Sequence, residues 1–187
     1  GDHWVTNSLA VIAAVRAAGG DLGAAGLALA EMEGLAGRGA RQTVAAGDGT
    51  ALLIDESYNA NPASMRATLA QLGRTEARRR IAVLGSMKEL GRHAPGYHAA
   101  LATPLVEAGV DFAILVGDEM TALAEELGKS GALALGNQVR FAHCRNAAEA
   151  QQALADFGLE SGDAILVKGS NSVGLGKLVA ALAGKDS

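Results

Sequence analysis

Along most of the chain, segments with helical spacing of apolar residues alternate with short runs that are almost wholly apolar. The runs IAVLG, FAILVG and AILVKG show no regular exchange of apolar and polar positions. Strands of this kind are covered on both faces, as in a parallel sheet with crossover helices. Strands are therefore predicted at residues 81–84, 112–116, 139–142 and 164–167, and helices at 62–72, 98–108, 119–127, 147–157 and 175–182.

The start of the chain has a different pattern. Helical spacing covers residues 4–18 and 22–33, and three glycines, Gly34, Gly37 and Gly39, then surround Arg38. Beyond this glycine-rich joint, two predicted strands at 42–46 and 51–55 are separated by GDG, which is a hairpin signal. We place a domain boundary at the joint, with residues 1–36 in one domain and 37–187 in the next.

These elements predict an α/β fold: a doubly wound, mostly parallel, Rossmann-like sheet with helices on both faces, preceded by two helices. The composition agrees, since 49% of the residues are hydrophobic but only 3% are aromatic. Small aliphatic side chains suit helices that pack closely on a parallel sheet. They do not suit a β-sandwich, which favours aromatic and β-branched residues.

Charge and cysteine content exclude several classes of protein. The formal net charge is -4 with acids and bases mixed, so a nucleic-acid partner is not expected; the run RRR at 78–80 is interpreted as a solvated strand entrance. No membrane span or signal peptide is predicted. Cys144 is the single cysteine, which indicates a reducing, cytoplasmic location. We expect a monomer, and because the first residue is Gly1 rather than Met we expect a piece of a longer protein.

A metal site is not predicted. His143 lies beside Cys144, and His93 and His98 are five residues apart. No second pair of ligands has the spacing of a zinc site, so the expected number of metal ligands in this chain is none.

Polar side chains are concentrated after the predicted core strands. In doubly wound sheets, ligands bind beyond the carboxyl ends of the strands. The residues at those ends are Asp55, Glu56, Ser57, Tyr58, Asn59 and Asn61, then Ser86, Met87, Lys88 and Glu89, then Asp118, and finally Lys168, Ser170, Asn171 and Ser172. We therefore expect a binding site at this edge.

Two of these residues need a partner or a ligand. Asp55 ends a buried strand, and a buried carboxylate is costly unless it is compensated. Lys168 ends another, and the glycine turn that follows opens a helix, which suits a phosphate or a carboxylate. An Asp55–Lys168 ion pair with a structural role alone stays open. Asn61 and Pro62 also have a structural interpretation as helix N-cap and first helical residue.

One apparent phosphate-binding motif fails inspection. The segment KGSNSVGLGKL resembles G-x-x-x-x-G-K-[ST], but Asn171 stands at the first glycine and Leu178 after the lysine. Both requirements of a P-loop are missed, so no triphosphate cradle is predicted in this chain.

Several segments together resemble the Mur ligase family. These are GDHWVTNSLAVIAAV, AGR at 36–38, LLIDESYNANPASMRATLAQL, VLGSMKELG and ILVKGSNS. The S-Y-N-A-N-P segment is similar to the signature of the type that adds D-alanyl-D-alanine, whereas sister ligases carry D-Y-A-H-x-P. The resemblance covers nearly the whole chain.

The resemblance implies an ATP-dependent amide ligase of peptidoglycan synthesis. Such an enzyme activates the carboxylate of UDP-N-acetylmuramoyl-tripeptide as an acyl phosphate, which D-alanyl-D-alanine then attacks. Residues 1–36 would be the end of the central ATPase domain, and 37–187 the C-terminal domain that closes as a lid. The P-loop and the ligands of magnesium belong to the part of the family's central domain that this chain lacks. The isolated chain is therefore expected to be inactive.

The resemblance also implies roles for particular residues, none of them catalytic and none a metal ligand. Expected nucleotide contacts are Asn7, Arg38, Asp55, Tyr58, Asn59 and Asn61, with Asp55 near the ribose or the joint. Expected contacts to the dipeptide or the reacting carboxylate are Lys168, Ser170 and Asn171. Departures from the family pattern are Trp4 for Asn, Ser86 for Asp and Asn171 for Arg; the last removes a carboxylate clamp.

Two alternatives remain at this stage. A receiver-like signalling domain also carries acids after its first strand and a lysine after its last, as Asp55, Glu56 and Lys168 do. It needs a phospho-accepting aspartate at the end of a central strand, where Ser86 stands. The other alternative is a non-catalytic Rossmann-like binding module.

Overall fold

The computed structural model of the chain describes residues 2–31, 37–129 and 139–184, and for 2–4 and 31 it describes the backbone alone. The chain divides into two compact units, residues 1–34 and 35–187. The joint residues Gly34 and Ala36 lie outside the described residues, as do the end of the second predicted helix and the side chain of Trp4. No helix within the described ranges combines the length and apolarity needed to cross a membrane.

The described residues of the first unit form two helices, α1 (Asp2–Ala17) and α2 (Leu22–Glu31). Asp21 begins α2: its Oδ1 accepts hydrogen bonds from the N–H groups of Gly23 and Ala24, at 2.7 and 3.1 Å. Asp21 therefore satisfies N–H groups that a first helical turn leaves unpaired.

Within its described residues, the second unit contains six strands and six α-helices. The strands are β1 (Ala40–Ala46), β2 (Gly49–Glu56), β3 (Arg80–Gly85), β4 (Phe112–Val116), β5 (Arg140–Cys144) and β6 (Ala164–Lys168). The helices are α3 (Pro62–Arg74), α4 (Ala94–Ala99), α5 (Ala102–Glu107), α6 (Thr121–Lys129), α7 (Ala147–Phe157) and α8 (Gly176–Leu182). The predicted strands and most of the predicted helices are present within a few residues of their expected bounds.

One sheet of order β1-β2-β6-β3-β4-β5 organises this unit. β1 pairs with β2 in the antiparallel sense, as the GDG hairpin predicted, and the other pairs are parallel. Helices α3, α5 and α6 cover one face, and α7 and α8 cover the other. The mostly parallel, doubly wound α/β fold is therefore confirmed.

The route of the chain creates a crevice beside β6. Strand β6 lies between β2 and β3, and the chain returns to it from β5 at the far edge. The chain leaves β2 and β3 toward the α3 face but leaves β6 toward α8 on the opposite face. Such a switch of direction opens a crevice at the carboxyl ends of the strands, which is where ligands bind in doubly wound sheets.

Asn61 caps α3 as expected. Its Oδ1 accepts a hydrogen bond from the N–H of Ser64 at 2.8 Å, and Ser64 Oγ accepts one from the N–H of Asn61 at 3.1 Å. Pro62 follows as the first helical residue. This reciprocal pair fixes the end of the loop that leaves β2.

The single helix predicted at 98–108 is wrong in detail. The segment forms two short helices, α4 and α5, with a turn at Ala100 and Leu101. Pro104 has no N–H to donate to the carbonyl of Ala100, which interrupts the helical ladder at this point. The first helix also begins earlier than predicted, at Ala94, with Pro95 in its first turn.

A cluster around Arg79 closes the amino ends of the strands, which we call the amino edge. The Arg79 guanidinium binds Asp163 with two hydrogen bonds of 2.9 and 2.6 Å and Glu160 with one of 3.0 Å. It also donates to the carbonyl of Gly158 at 2.8 Å and lies 4.7 Å from the centre of the Phe157 ring. The guanidinium and both oxygens of the buried Asp163 carboxylate thus have partners in the protein, so the cluster is a stability element.

Candidate functional site

The carboxyl ends of β2, β6 and β3, together with the loops that leave them, form what we call the carboxyl edge. The start of β1 also lies here because β1 runs antiparallel to β2, with Ala40 opposite Asp55. Residues 37–39, which precede β1, are thereby brought to the same place. We call residues 37–39 the joint segment.

Asp55 holds the joint segment. Its Oδ2 accepts a hydrogen bond from the N–H of Gly37 at 2.7 Å, and its Oδ1 accepts from Ser57 Oγ at 2.7 Å and from the N–H of Ser57 at 3.1 Å. The carbonyl of Asp55 accepts from the N–H of Gly39 at 2.8 Å. Both carboxylate oxygens therefore bind groups of the chain itself, and the partner that a buried carboxylate requires is the joint.

Arg38 and Tyr58 lie together on this clamped segment. The guanidinium carbon of Arg38 is 4.5 Å from the centre of the Tyr58 ring, and the N–H of Tyr58 donates to the carbonyl of Gly37 at 3.2 Å. Gly37 has φ +75°, and a Cβ built there would lie 2.8 Å from the Tyr58 Cβ. A glycine is required here both by the left-handed backbone and by this close approach.

A cleft of about 310 Å³ opens beside these residues, a volume at the lower end of the range for small-molecule sites. Its polar lining includes Asp55, Ser57, Tyr58 and Asn171. Its apolar wall is formed by the small side chains of α8. A flat, partly apolar ligand with polar substituents fits this lining, and Arg38 lies close by, stacked on Tyr58, where it can bind an anion.

Lys168 lies on the other face of the sheet and is only 2% exposed. Its Nζ donates to the carbonyl of Asn59 at 2.8 Å and reaches Glu56 Oε2 at 3.4 Å. Burial lowers the pKa of Lys168 below the ordinary lysine value, and Glu56 opposes that shift only in part. A buried ammonium held by one carbonyl and one distant carboxylate can still gain from an anionic ligand.

The Asp55–Lys168 ion pair considered from the sequence is wrong. In the parallel register of β2 and β6, Lys168 is the neighbour of Glu56, and Asp55 is the neighbour of Val167. Side chains of neighbouring strands share a face in register, and successive residues alternate between faces. Asp55 and Lys168 consequently point to opposite faces of the sheet.

The loop after β3, residues 86–90, is tied to its surroundings by three consecutive backbone N–H groups. That of Ser86 donates to the carbonyl of Val116 at 3.0 Å, that of Met87 to His98 Nε2 at 2.9 Å, and that of Lys88 to Ser170 Oγ at 3.0 Å. These N–H groups cannot therefore form an anion-binding nest for a ligand.

Lys88 and Glu119 form an ion pair at the rim. The hydrogen bond from Lys88 lowers the pKa of Glu119 to about 2, against the opposing effect of burial. Both side chains are more than one third exposed, so the pair contributes little to stability. It instead sets the direction of the Lys88 side chain.

The remaining predicted site residues are placed as follows. Asn59 and Asn61 are exposed in the loop between β2 and α3, and the carbonyl of Asn59 is used by Lys168. Ser170 follows β6 in the chain and is almost fully buried. Asn7 is exposed on α1 in the first unit. The structure therefore brings together every predicted site residue of the second unit around the carboxyl edge.

Three residues with contacts at this edge had no contact role predicted for them: Lys88, Glu119 and His98. Lys88 was expected at this edge from its position after a core strand, but no partner was predicted for it. Nothing in the sequence signals the role of His98, because its bond to Met87 depends on how α4 packs.

Magnesium has no evident place in this part of the protein. Among the residues that the structure describes, no group of three or more His, Cys, Asp or Glu side chains converges as a metal site. The acids at the edge are engaged otherwise, Asp55 by the joint and Glu119 by Lys88. No chemistry is assigned to a metal held by this chain.

Comparison with known families gives the class of protein to which this fold and its carboxyl edge belong. The sequence model of the Mur ligase glutamate ligase domain matches residues 37–171. The chain belongs to the Mur ligase family, and the resemblance noted in its motifs is confirmed.

Three relatives show how far the similarity extends. UDP-N-acetylmuramoyl-tripeptide–D-alanyl-D-alanine ligase of Mycobacterium tuberculosis is 36% identical over 100% of this chain and 39% of its own length. The ligase of the same name from Synechocystis is 36% identical over 70% of this chain and 27% of its own. The crystal structure of MurF from Acinetobacter baumannii superposes with a TM-score of 0.81 at 28% identity, covering 99% of this chain and 38% of that one. The matches thus span between 27% and 39% of the length of these relatives.

Family membership removes the receiver-like alternative. The structure agrees, because the position after the inner strand β3, where such a domain needs its phospho-accepting aspartate, holds Ser86, which is 0% exposed.

Proposed function

We propose that this chain is the C-terminal portion of an ATP-dependent amide ligase that joins D-alanyl-D-alanine to UDP-N-acetylmuramoyl-tripeptide in peptidoglycan synthesis. Residues 37–187 act as a lid over the nucleotide and the incoming dipeptide, and residues 1–36 are the end of the central ATPase domain. The observation that carries the proposal is the match of the whole chain to ligases of this one name.

The surface of the two N-terminal helices supports the domain division. Val5, Leu9 and Leu27 are 61%, 62% and 68% exposed. Large apolar side chains grouped on a helical pair are usually covered by protein. The rest of a central domain would cover them.

The edge supplies binding and orientation rather than bond-making groups. ATP activates the tripeptide carboxylate as an acyl phosphate, the amine of the dipeptide attacks its carbonyl carbon, and the amide forms as phosphate leaves. Lys168 places a positive charge near the reacting anions, where it stabilises negative charge that develops during the attack. Ser170 and Asn171 hold the dipeptide.

The joint segment and the loop after β2 bind the nucleotide. Arg38 contacts a phosphate or the base edge, and Tyr58, Asn59 and Asn61 line the closed cleft. Asp55 acts through the joint, because its oxygens bind Gly37 and Ser57. Asn7, on α1 of the first unit, is a separate proposed contact of the nucleotide.

The groups that grip ATP and magnesium lie in the part of the enzyme that precedes the lid. Magnesium, when bound, neutralises phosphate charge. This chain has no P-loop, so we expect it to fold but not to turn over by itself. We also propose that the enzyme is a cytoplasmic monomer; sedimentation would reveal any larger assembly.

Phosphate release tests the proposal. The longer protein that contains this chain should release phosphate only when ATP, magnesium, UDP-N-acetylmuramoyl-tripeptide and D-alanyl-D-alanine are all present. Omission of the dipeptide, or its replacement by D-glutamate, is the matched control. Robust turnover by the 187-residue chain alone, or equal turnover with D-glutamate, would contradict the proposal.

A further inference from the structure

A buried histidine joins α4 to the loop after β3. His98 is 0% exposed. Its Nδ1 bonds the carbonyl of Ala94 at 2.7 Å, and its Nε2 bonds the N–H of Met87 at 2.9 Å. The first bond is local to the helix, whereas the second ties the helix to a loop eleven residues earlier in the chain.

The two partners fix the tautomer of the ring. A backbone carbonyl can only accept, so Nδ1 carries the proton, and a backbone N–H can only donate, so Nε2 accepts. The two bonds hold the ring in one orientation, because a proton on Nε2 would place one N–H against another.

The segment that His98 holds is strained and closely tied. Glu89, directly after it, is the one non-glycine residue with positive φ in the described part of the chain, at +64°. Such a conformation persists only where the surroundings determine it. The bonds of Met87 to His98 and of Lys88 to Ser170 supply that constraint on the preceding residues.

The constraint passes to Ser170. The hydroxyl oxygen of Ser170 accepts the N–H of Lys88 at 3.0 Å, and the N–H of Ser170 donates to the carbonyl of Ser86 at 3.2 Å. Because the oxygen accepts from Lys88, the hydroxyl proton points away from that N–H and can be donated to a ligand.

We propose that His98 is a positioning residue: through the Met87–Lys88 segment it orients the Ser170 hydroxyl toward the incoming dipeptide. The assignment of the dipeptide rests on the function proposed above. The positioning itself does not, because it can be measured in the chain without any substrate.

Hydrogen exchange in the 187-residue chain tests the positioning. His98→Phe keeps the volume but removes both nitrogen atoms, so the Met87 amide should exchange roughly 10- to 100-fold faster, as expected when a buried donor loses its acceptor. His98→Gln offers an oxygen near the Nε2 position and should restore most of the protection. The matched control is His93→Phe, an exposed histidine nearby, which should leave the Met87 amide unchanged.

The wild-type ring gives a second readout that needs no variant. Nitrogen chemical shifts should show a neutral ring with the proton on Nδ1. A proton on Nε2, or an unchanged Met87 amide in folded His98→Phe, overturns the proposal. If His98→Phe does not fold, the tautomer and His98→Gln still decide the question.

A double-mutant cycle in the ligase that contains this chain tests the link to the dipeptide. His98→Phe and Ser170→Ala should each raise KM for D-alanyl-D-alanine more than they lower kcat, and together they should have little more effect than Ser170→Ala alone. The proposed link from His98 to the dipeptide is overturned if the effects of His98→Phe and Ser170→Ala on KM are fully additive. It is also overturned if His98→Phe speeds exchange of the Met87 amide but leaves the KM for the dipeptide unchanged. A wild-type protein that does not use this dipeptide defeats the proposed function instead, and hydrogen exchange still judges the positioning.

Discussion

The amino edge and the carboxyl edge of the sheet each carry a basic residue paired with a carboxylate, but the two pairs differ in how completely their charges are satisfied. At the amino edge, Arg79 and the fully buried carboxylate of Asp163 satisfy each other with two short hydrogen bonds. At the carboxyl edge, Lys168 is equally buried but reaches its carboxylate only at 3.4 Å. The amino edge is a closed cluster, while the carboxyl edge retains charge that a ligand can use. The comparison supports the proposal that the amino edge stabilises the fold and the carboxyl edge binds ligands.

The largest effect is expected at the amino edge. Arg79→Met leaves the Asp163 carboxylate buried without its cation, which should lower the free energy of unfolding by about 3 kcal/mol. Arg78→Met is the matched control, since Arg78 is exposed and should change stability by less than about 0.5 kcal/mol. Urea unfolding measures both; equal effects of the two substitutions would refute the closed cluster.

Low pH should remove the contribution of the Arg79–Asp163 pair to stability. Burial acts to raise the pKa of Asp163, but hydrogen bonds from Arg79 and from the Glu160 N–H outweigh it and hold the pKa below its ordinary value. Such a carboxylate adds stability above its unfolded pKa of about 3.9, and this stability is lost as pH falls through the folded value. The wild type should therefore lose more stability than Arg79→Met as pH falls below about 5.

The joint segment should be the next most sensitive position. Gly37→Ala places a side chain in a left-handed conformation, which costs about 1–2 kcal/mol, and also drives it against Tyr58. Gly91→Ala is the control, because Gly91 has φ +57° but nothing within 4 Å of an added Cβ. Thermal unfolding should show a larger loss of stability for Gly37→Ala than for Gly91→Ala. The reverse order would mean that the joint segment can move to accommodate the added side chain.

Lys168→Met should affect stability less than Arg79→Met. The lost hydrogen bond to Asn59 is offset by relief from burying a charge, so the free energy of unfolding should change by about 1 kcal/mol or less. The wild type should gain stability relative to Lys168→Met as the pH rises toward about 10.4. Burial lowers the pKa of Lys168, so its neutral form fits the fold better than its charged form. A loss as large as that of Arg79→Met would erase the distinction between the edges.

The smallest effect is expected at the exposed rim. Glu119→Gln removes the partner of Lys88, and this exposed pair should contribute only a few tenths of a kcal/mol. Added salt should reduce the difference between variant and wild type. A salt-independent loss above about 1 kcal/mol would show that the pair is a structural element.

The sequence predicted the sheet well and the edge only in part. Runs such as AILVK are apolar at every position, so both their strand character and their burial could be read directly. The cap at Asn61 was also predictable, because its hydrogen bonds are local. The Glu56 partner of Lys168 was not, since it depends on a register between β2 and β6 that local pattern does not determine. The bond from Gly37 to Asp55 depends in turn on how the antiparallel pairing of β1 with β2 returns the joint segment to Asp55. The role of His98 depends on the packing of α4 in the same way.

The most direct test compares Lys168→Met with Arg79→Met in the protein that contains this chain, with the proposed ligase activity assayed by dipeptide-dependent phosphate release at a temperature where both variants are folded. We expect Lys168→Met to lower kcat/KM by roughly 10- to 100-fold, as when a charged hydrogen-bond donor is removed, with near-normal stability. Arg79→Met should keep near-normal kcat/KM despite its lower stability. Activity lost with Arg79→Met and retained with Lys168→Met would contradict the assignment of binding to the carboxyl edge.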